Sequence, residues 1–255
     1  MDEKAIVTLL TTGLDDIPSV IRKLSESVVA SIPATKTEPH ETEDFVWTVW
    51  NAVFEAAGQA SSEKQLHLIV EFLVQLSKVE VKDPATGEVL MRDGDKVWTD
   101  LPRFGWVTRD WFNFEPSQVE GEELARLERQ VKMLAYLMAY PGDDGANDIS
   151  LYAFWALRDA FEGKGPIASS AVRLAAPWVL NVAKHLWQHT EPGTELPARC
   201  GVPGEKYAEK EWRGFNKERW AVWRDGFVAA QAEVKDEEVK TMAGRAAEIM
   251  KELEG

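Results

Sequence analysis

The sequence predicts an all-α fold, a single-domain bundle of about 8–10 helices, from three observations. Apolar residues recur at three- and four-residue steps nearly everywhere, alternating strand-like runs are almost absent, and the breaks between helical segments carry Pro, Gly and capping residues. One domain over residues 1–255 is the default for a chain that is 45% apolar, with the helical pair of residues 1–40 free to pack more loosely. A small β-hairpin fits only near residues 79–98, turned by Asp83-Pro84-Ala85-Thr86-Gly87.

In chain order, helices are expected over residues 2–12 and 17–32, the second capped by Asp16 with Pro18 in its first turn. Ser31 to Glu41 reads as a connector. A third helix (43–60) places Phe45, Val49, Val53 and Ala56 on one side, and Ser62 with Gln65 forms a capping box for a fourth, which carries Leu66, Ile69, Leu73 and Leu76. Aromatic residues concentrate between Val97 and Phe114. A long helix (118–140) steps through Leu124, Leu127, Val131, Leu134 and Met138 and stops at Pro141-Gly142. Helices over 149–162 and 167–190 follow, the latter expected to kink at Pro177, whose ring removes a hydrogen bond. After the proline-rich loop 191–204, two last helices (216–234 and 237–253) bury Trp220, Trp223 and Phe227, then Val239, Met242, Ala246, Ile249 and Leu253.

With 29 Lys and Arg against 43 Asp and Glu, the net charge of -14 repels phosphate, so neither nucleic acid nor an anionic membrane is expected as a partner. The one cysteine, Cys200, has no internal disulfide partner, as in a reducing compartment. The N-terminus lacks the apolar stretch of a secretory signal, and Leu174 to Ala183 is far short of the roughly 20 residues a membrane span needs. A soluble cytoplasmic protein is expected, with the nucleus an alternative.

Three segments then carry a resemblance. Asp148 to Leu157 (DISLYAFWAL), Ala175 to Leu180 running on to Leu186-Trp187, and Glu218 to Phe227 (ERWAVWRDGF) followed by Ala243 to Glu252 resemble, in that order, a fungal family of helical proteins catalogued as a domain of unknown function. In that family an arginine-tryptophan pair with another tryptophan shortly after marks the penultimate helix, and Trp98 to Trp111 looks similar as well. The resemblance covers most of the chain after residue 40. It implies an ascomycete-type source, an all-α fold and no assigned chemistry. A setting beside specialised-metabolite enzymes would make a small-molecule role worth testing.

No complete chemical motif stands out. His185 and His189 lie four apart, as two helical zinc ligands would, but the glutamate and third ligand of such a site are missing. Asp143, Asp144, Asn147 and Asp148 lack the spacing of a magnesium-diphosphate or calcium site and read as an acidic helix-capping turn. No metal or cofactor is expected.

The eleven tryptophans are the unusual feature, and most belong in ordinary core packing. Those near chain irregularities, Trp106, Trp111, Tyr152, Trp155, Trp178 and Trp187, are candidates to line a pocket. Arg109 joins them as a binding group, and Asp110 and His185 are the candidate catalytic groups that would position or move a proton. Two functions follow as expectations: cofactor-independent binding or conversion of a small, largely apolar metabolite, or a helical protein-protein interaction without chemistry. Self-association stays open.

Overall fold

The computed structural model describes residues 1–32, 40–140, 149–197 and 199–255, with backbone alone for 40–44. Residues 33–39 of the expected connector, and the Pro141-Gly142 stop with its acidic turn, lie outside them. Among the described residues the chain forms ten α-helices and one two-stranded antiparallel sheet, so the all-α expectation and the small hairpin both hold. They divide into two compact units, Met1–Asn113 and Phe114–Gly255.

The first unit holds α1 (Glu3–Thr12), α2 (Ile17–Ala30), α3 (His40–Gly58), α4 (Glu63–Leu76), β1 (Met91–Arg92), β2 (Asp95–Lys96) and α5 (Phe104–Trp111). Caps sit where the sequence places them. Asp16 accepts from the Ser19 amide at 3.1 Å and Ser62 from the Gln65 amide at 3.4 Å, while Gln65 reaches back to the Ser61 amide at 2.7 Å. The Asp83–Gly87 turn closes with the Gly87 amide on the Asp83 carbonyl at 2.8 Å. A second turn at Asp93-Gly94, with φ of 53° and 94°, joins β1 to β2 in the left-handed geometry that two-residue hairpins favour.

The aromatic segment then runs against the usual backbone preference. Trp98, Leu101 and Arg103 have φ of 67°, 46° and 65°, conformations that cost about 1–3 kcal/mol each for such residues. Tertiary contacts hold them: Trp98 is fully buried edge-on to Trp50, the Trp50 indole donates to the Pro102 carbonyl at 2.7 Å, and Arg103 pairs with Asp93 at 2.7 Å.

The second unit holds α6 (Gly121–Met138), α7 (Ser150–Phe161), α8 (Ser169–Thr190), α9 (Lys217–Glu233) and α10 (Glu237–Leu253). Helix α8 is the centre, packed by α6, α7, α9 and α10. It departs from helical geometry at Val182 (φ −130°, ψ 21°) and not at Pro177, which stays inside the helix. The Asn181 side chain explains the shift, because it donates to the Pro177 carbonyl at 2.7 Å and competes for the acceptor a regular helix gives to the residue 181 amide. In α10 the buried stripe is Val239, Ala243, Ala246 and Met250, and the expected Met242, Ile249 and Leu253 are only half-buried. Small side chains at 243, 246 and 247 let α10 lie close to α8 and α9, which turns the bulkier residues outward.

Arg173 of α8 ties this packing together. Its guanidinium meets Glu128 of α6 at 3.0 Å, Asp236 at 3.0 Å and Glu238 at 2.8 Å, where α10 begins. Arg173→Ala is expected to lower the unfolding free energy by about 2 kcal/mol in urea denaturation, since it leaves the nearly buried Glu128 carboxylate with Lys132 (3.0 Å) in place of two cations and removes the tie to the start of α10. The hydrogen bond from Arg173 also holds the Asp236 carboxyl below its ordinary range. That contribution is complete above the usual carboxylate range and is lost as pH falls through the lowered value, so wild type and variant converge in acid.

Candidate functional site

Two charges without water lie at the junction of α7 and α9. Glu162 follows the last turn of α7, and Arg219 sits in the first turn of α9, where the Asn216 side chain caps the helix by accepting from the Arg219 amide at 2.8 Å. Both side chains are completely buried. The guanidinium donates through Nε to Glu162 Oε1 at 2.6 Å and through Nη2 to Oε2 at 2.8 Å. Its other N–H groups reach the carbonyls of Gly201 (2.9 Å), Val202 (2.9 Å) and Gly214 (3.2 Å).

Glu162 is equally occupied. Oε1 also accepts from the Trp223 indole at 2.8 Å and Oε2 from the Gly204 amide at 2.8 Å. The cationic plane lies 4.5 Å from the Phe154 ring and 5.2 Å from that of Trp212. Burying two ions costs several kcal/mol each, and only complete hydrogen bonding in good geometry offsets this. Here every donor of the arginine is used and both carboxylate oxygens are doubly engaged. The pair can therefore hold chain but has no valence left to meet a substrate. What it holds is the segment 199–216, wrapped around the start of α9. Gly204 is required there, because a Cβ on it would stand 2.6 Å from the Glu162 Cβ.

The wrapped segment makes one wall of a cleft of about 210 Å³. Phe161 closes α7 on one side, Ile167 stands on the following connection, Tyr207 comes from the wrapped segment, and Val222 and Ala229 project from α9. The charged residues on it are Lys206 and Asp225. Glu162 fixes the wall directly, its backbone carbonyl accepting the Lys206 amide at 2.9 Å. A wider, open trough of about 410 Å³ runs past Glu195, Trp212, Arg213, Phe215 and Glu218. The Glu218 carboxyl is held low by hydrogen bonds from Lys210 and then Trp212. Asp159, whose carboxyl is raised by loss of water more than Arg158 lowers it, lines neither.

The residues expected from the sequence are distributed as follows. In the first unit Trp106 is 73% exposed, Arg109 and Asp110 are exposed beside it on α5, and Trp111 is half-buried, stacked on Phe54 with its indole donating to Asn51 at 3.0 Å. In the second, Tyr152 and Trp155 meet edge to face at 5.6 Å, and the Trp155 indole donates to the Cys200 carbonyl at 3.2 Å. Trp178 is fully buried in α8, Trp187 packs on Trp220 at 5.2 Å, and His185 is half-buried. None of these lines the 210 Å³ cleft. His189 stacks on Phe215, and the described residues contain no group of three His, Cys, Asp or Glu able to hold a metal ion. No helix among them is long and apolar enough to cross a membrane. Sequence reading missed Glu162, Lys206 and Tyr207. The arginine of the Arg-Trp pair was the signal available for the rest.

Arg219→Lys keeps the charge but cannot reproduce a five-donor fork, so it is expected to cost about 3 kcal/mol of stability and to speed proteolytic cleavage within residues 199–216. Denaturation with mapped limited proteolysis checks both.

A family model described as "Protein of unknown function (DUF3632)" matches residues 50–227, a span that includes Glu162, Arg219 and Trp223. No curated protein and no solved structure matches the chain.

Proposed function

The chain belongs to the DUF3632 family of unknown function, and because that membership brings no chemistry, we propose from the geometry that the chain binds a small, largely apolar molecule in the cleft of its second unit. One observation carries this reading: a concavity of about 210 Å³ to which Phe161, Ile167, Tyr207, Val222 and Ala229 bring apolar side chains, beside Lys206, Asp225 and the backbone of three glycines. In binding sites apolar side chains give affinity and polar atoms give orientation, and this cleft offers both, with the polar share the larger. The volume is below the roughly 300–1,000 Å³ typical of drug-sized ligands, so a compact molecule fits best. No nucleophile paired with a base lines it, which favours binding over conversion. The metabolic setting in an ascomycete-type source expected from the sequence belongs to this same reading.

A second reading, protein-protein recognition, is favoured by Trp106, a large aromatic ring left in water on α5 with Arg109 and Asp110 beside it. Tryptophan and arginine are the residues that most often anchor interfaces.

The cleft is tested by filling it. Ala229→Trp is expected to weaken binding of a compact aromatic probe such as naphthalene-2-carboxamide at least about ten-fold, the loss expected when a ligand's apolar burial is replaced by side chain. Melting temperature should stay close to that of wild type. Probe-induced amide shifts at Gly163, Gly165 and Gly226, measured by NMR, locate the binding. Shifts clustered elsewhere, or unchanged affinity in the variant, would remove the proposal.

A further inference from the structure

The cleft has an electrostatic sense. Its two charged residues are not equivalent: Asp225 has a cation, its Oδ1 accepting from Arg224 Nη2 at 2.8 Å and Nε at 3.1 Å, although that guanidinium is shared with Glu254. Lys206 forms no ion pair among the described residues, and its ammonium lies 5.5 Å from the centre of the Tyr207 ring, on the wall of the cleft. Its backbone is the best fixed part of that wall. The Lys206 amide donates to the Glu162 carbonyl, and two residues earlier the Gly204 amide donates to the Glu162 carboxylate, so the buried pair sets where this lysine emerges. A cation without an ion pair on a hollow lined in part by Phe161, Ile167 and Val222, where the neighbouring carboxylate already has an arginine beside it, complements one ligand chemistry.

We infer that the cleft selects a compact amphipathic anion, an aromatic or short branched-aliphatic carboxylate, whose apolar body packs between Phe161, Ile167 and Val222 while its carboxylate meets Lys206. This rests on the cleft being a binding site. It adds the sign of the ligand's charge and the residue that reads it. Glu162 and Arg219 act here as positioning residues, through the backbone of 204–206, without touching the ligand.

The test compares naphthalene-2-carboxylate with naphthalene-2-carboxamide, which share a ring system and differ in charge, on the full chain by NMR titration at low salt. The carboxylate is expected to bind about five-fold tighter, the size of an exposed ion pair, and the preference should fade as salt rises. Lys206→Gln should abolish the preference, bringing carboxylate affinity to about that of the carboxamide in the same variant, and Lys206→Arg should retain it. Equal affinities of the two probes in wild type, or a preference that survives Lys206→Gln, would overturn the anionic reading and leave the cleft itself standing. Binding of neither probe at the cleft would overturn both.

Discussion

Two opposite charges sealed from water set the shape of the second unit. Arg219 and Glu162 meet although they stand 57 positions apart, and their bonds to Gly201, Val202, Gly204 and Gly214 pass through the segment that wraps the start of α9. Besides the pair, that segment is anchored by the Trp155 indole on Cys200, the Leu196 amide on Arg213, the Phe215 amide on Thr194, the Lys206 amide on the Glu162 carbonyl, buried Phe215, and Trp212, whose indole meets Glu218 at 3.0 Å. A hydrophobic replacement of similar volume could pack against Phe154 and Trp223, but it could not satisfy three backbone carbonyls at once. That is the physical reason to have an ion pair here, and why arginine rather than lysine provides its cation.

The first unit solves a different problem. Its aromatic segment takes left-handed backbone at Trp98, Leu101 and Arg103 because three rings must share one space: Trp50 meets Trp98 at 5.7 Å and Phe104 at 5.4 Å, both edge-on. Burial of those rings outweighs the backbone cost, and the bond from the Trp50 indole to Pro102 fixes the register. The same arrangement leaves Trp106 facing outward on α5.

Elements were legible in the sequence wherever one physical cause dominates. Apolar spacing located nine of the ten helices to within a few residues, the aromatic segment showed composition without a helix at α5, and cap chemistry located Asp16 and Ser62. The break in α8 was misplaced because proline is visible in a sequence and an asparagine bonding its own helix is not. The Asp93-Gly94 turn was readable from that dipeptide and passed over for the longer Asp83–Gly87 turn. At the site, the Arg-Trp pair was seen as a family mark, whereas Glu162 looked like any charged residue at a helix end. Only the fold shows that its carboxylate points inward, since burial of a charge depends on partners distant in sequence. The cleft was illegible for the same reason: Phe161, Ile167, Tyr207 and Val222 belong to four separate segments.

The central claim, that one buried pair organises the wrapped segment, is tested most directly by a double-mutant cycle on Glu162 and Arg219, using Glu162→Gln, Arg219→Met and their combination, with unfolding free energies from denaturant titration. A coupling energy of at least about 2 kcal/mol is predicted, because each single change leaves the other charge buried and unmatched. Additive effects, with coupling near zero, would contradict it.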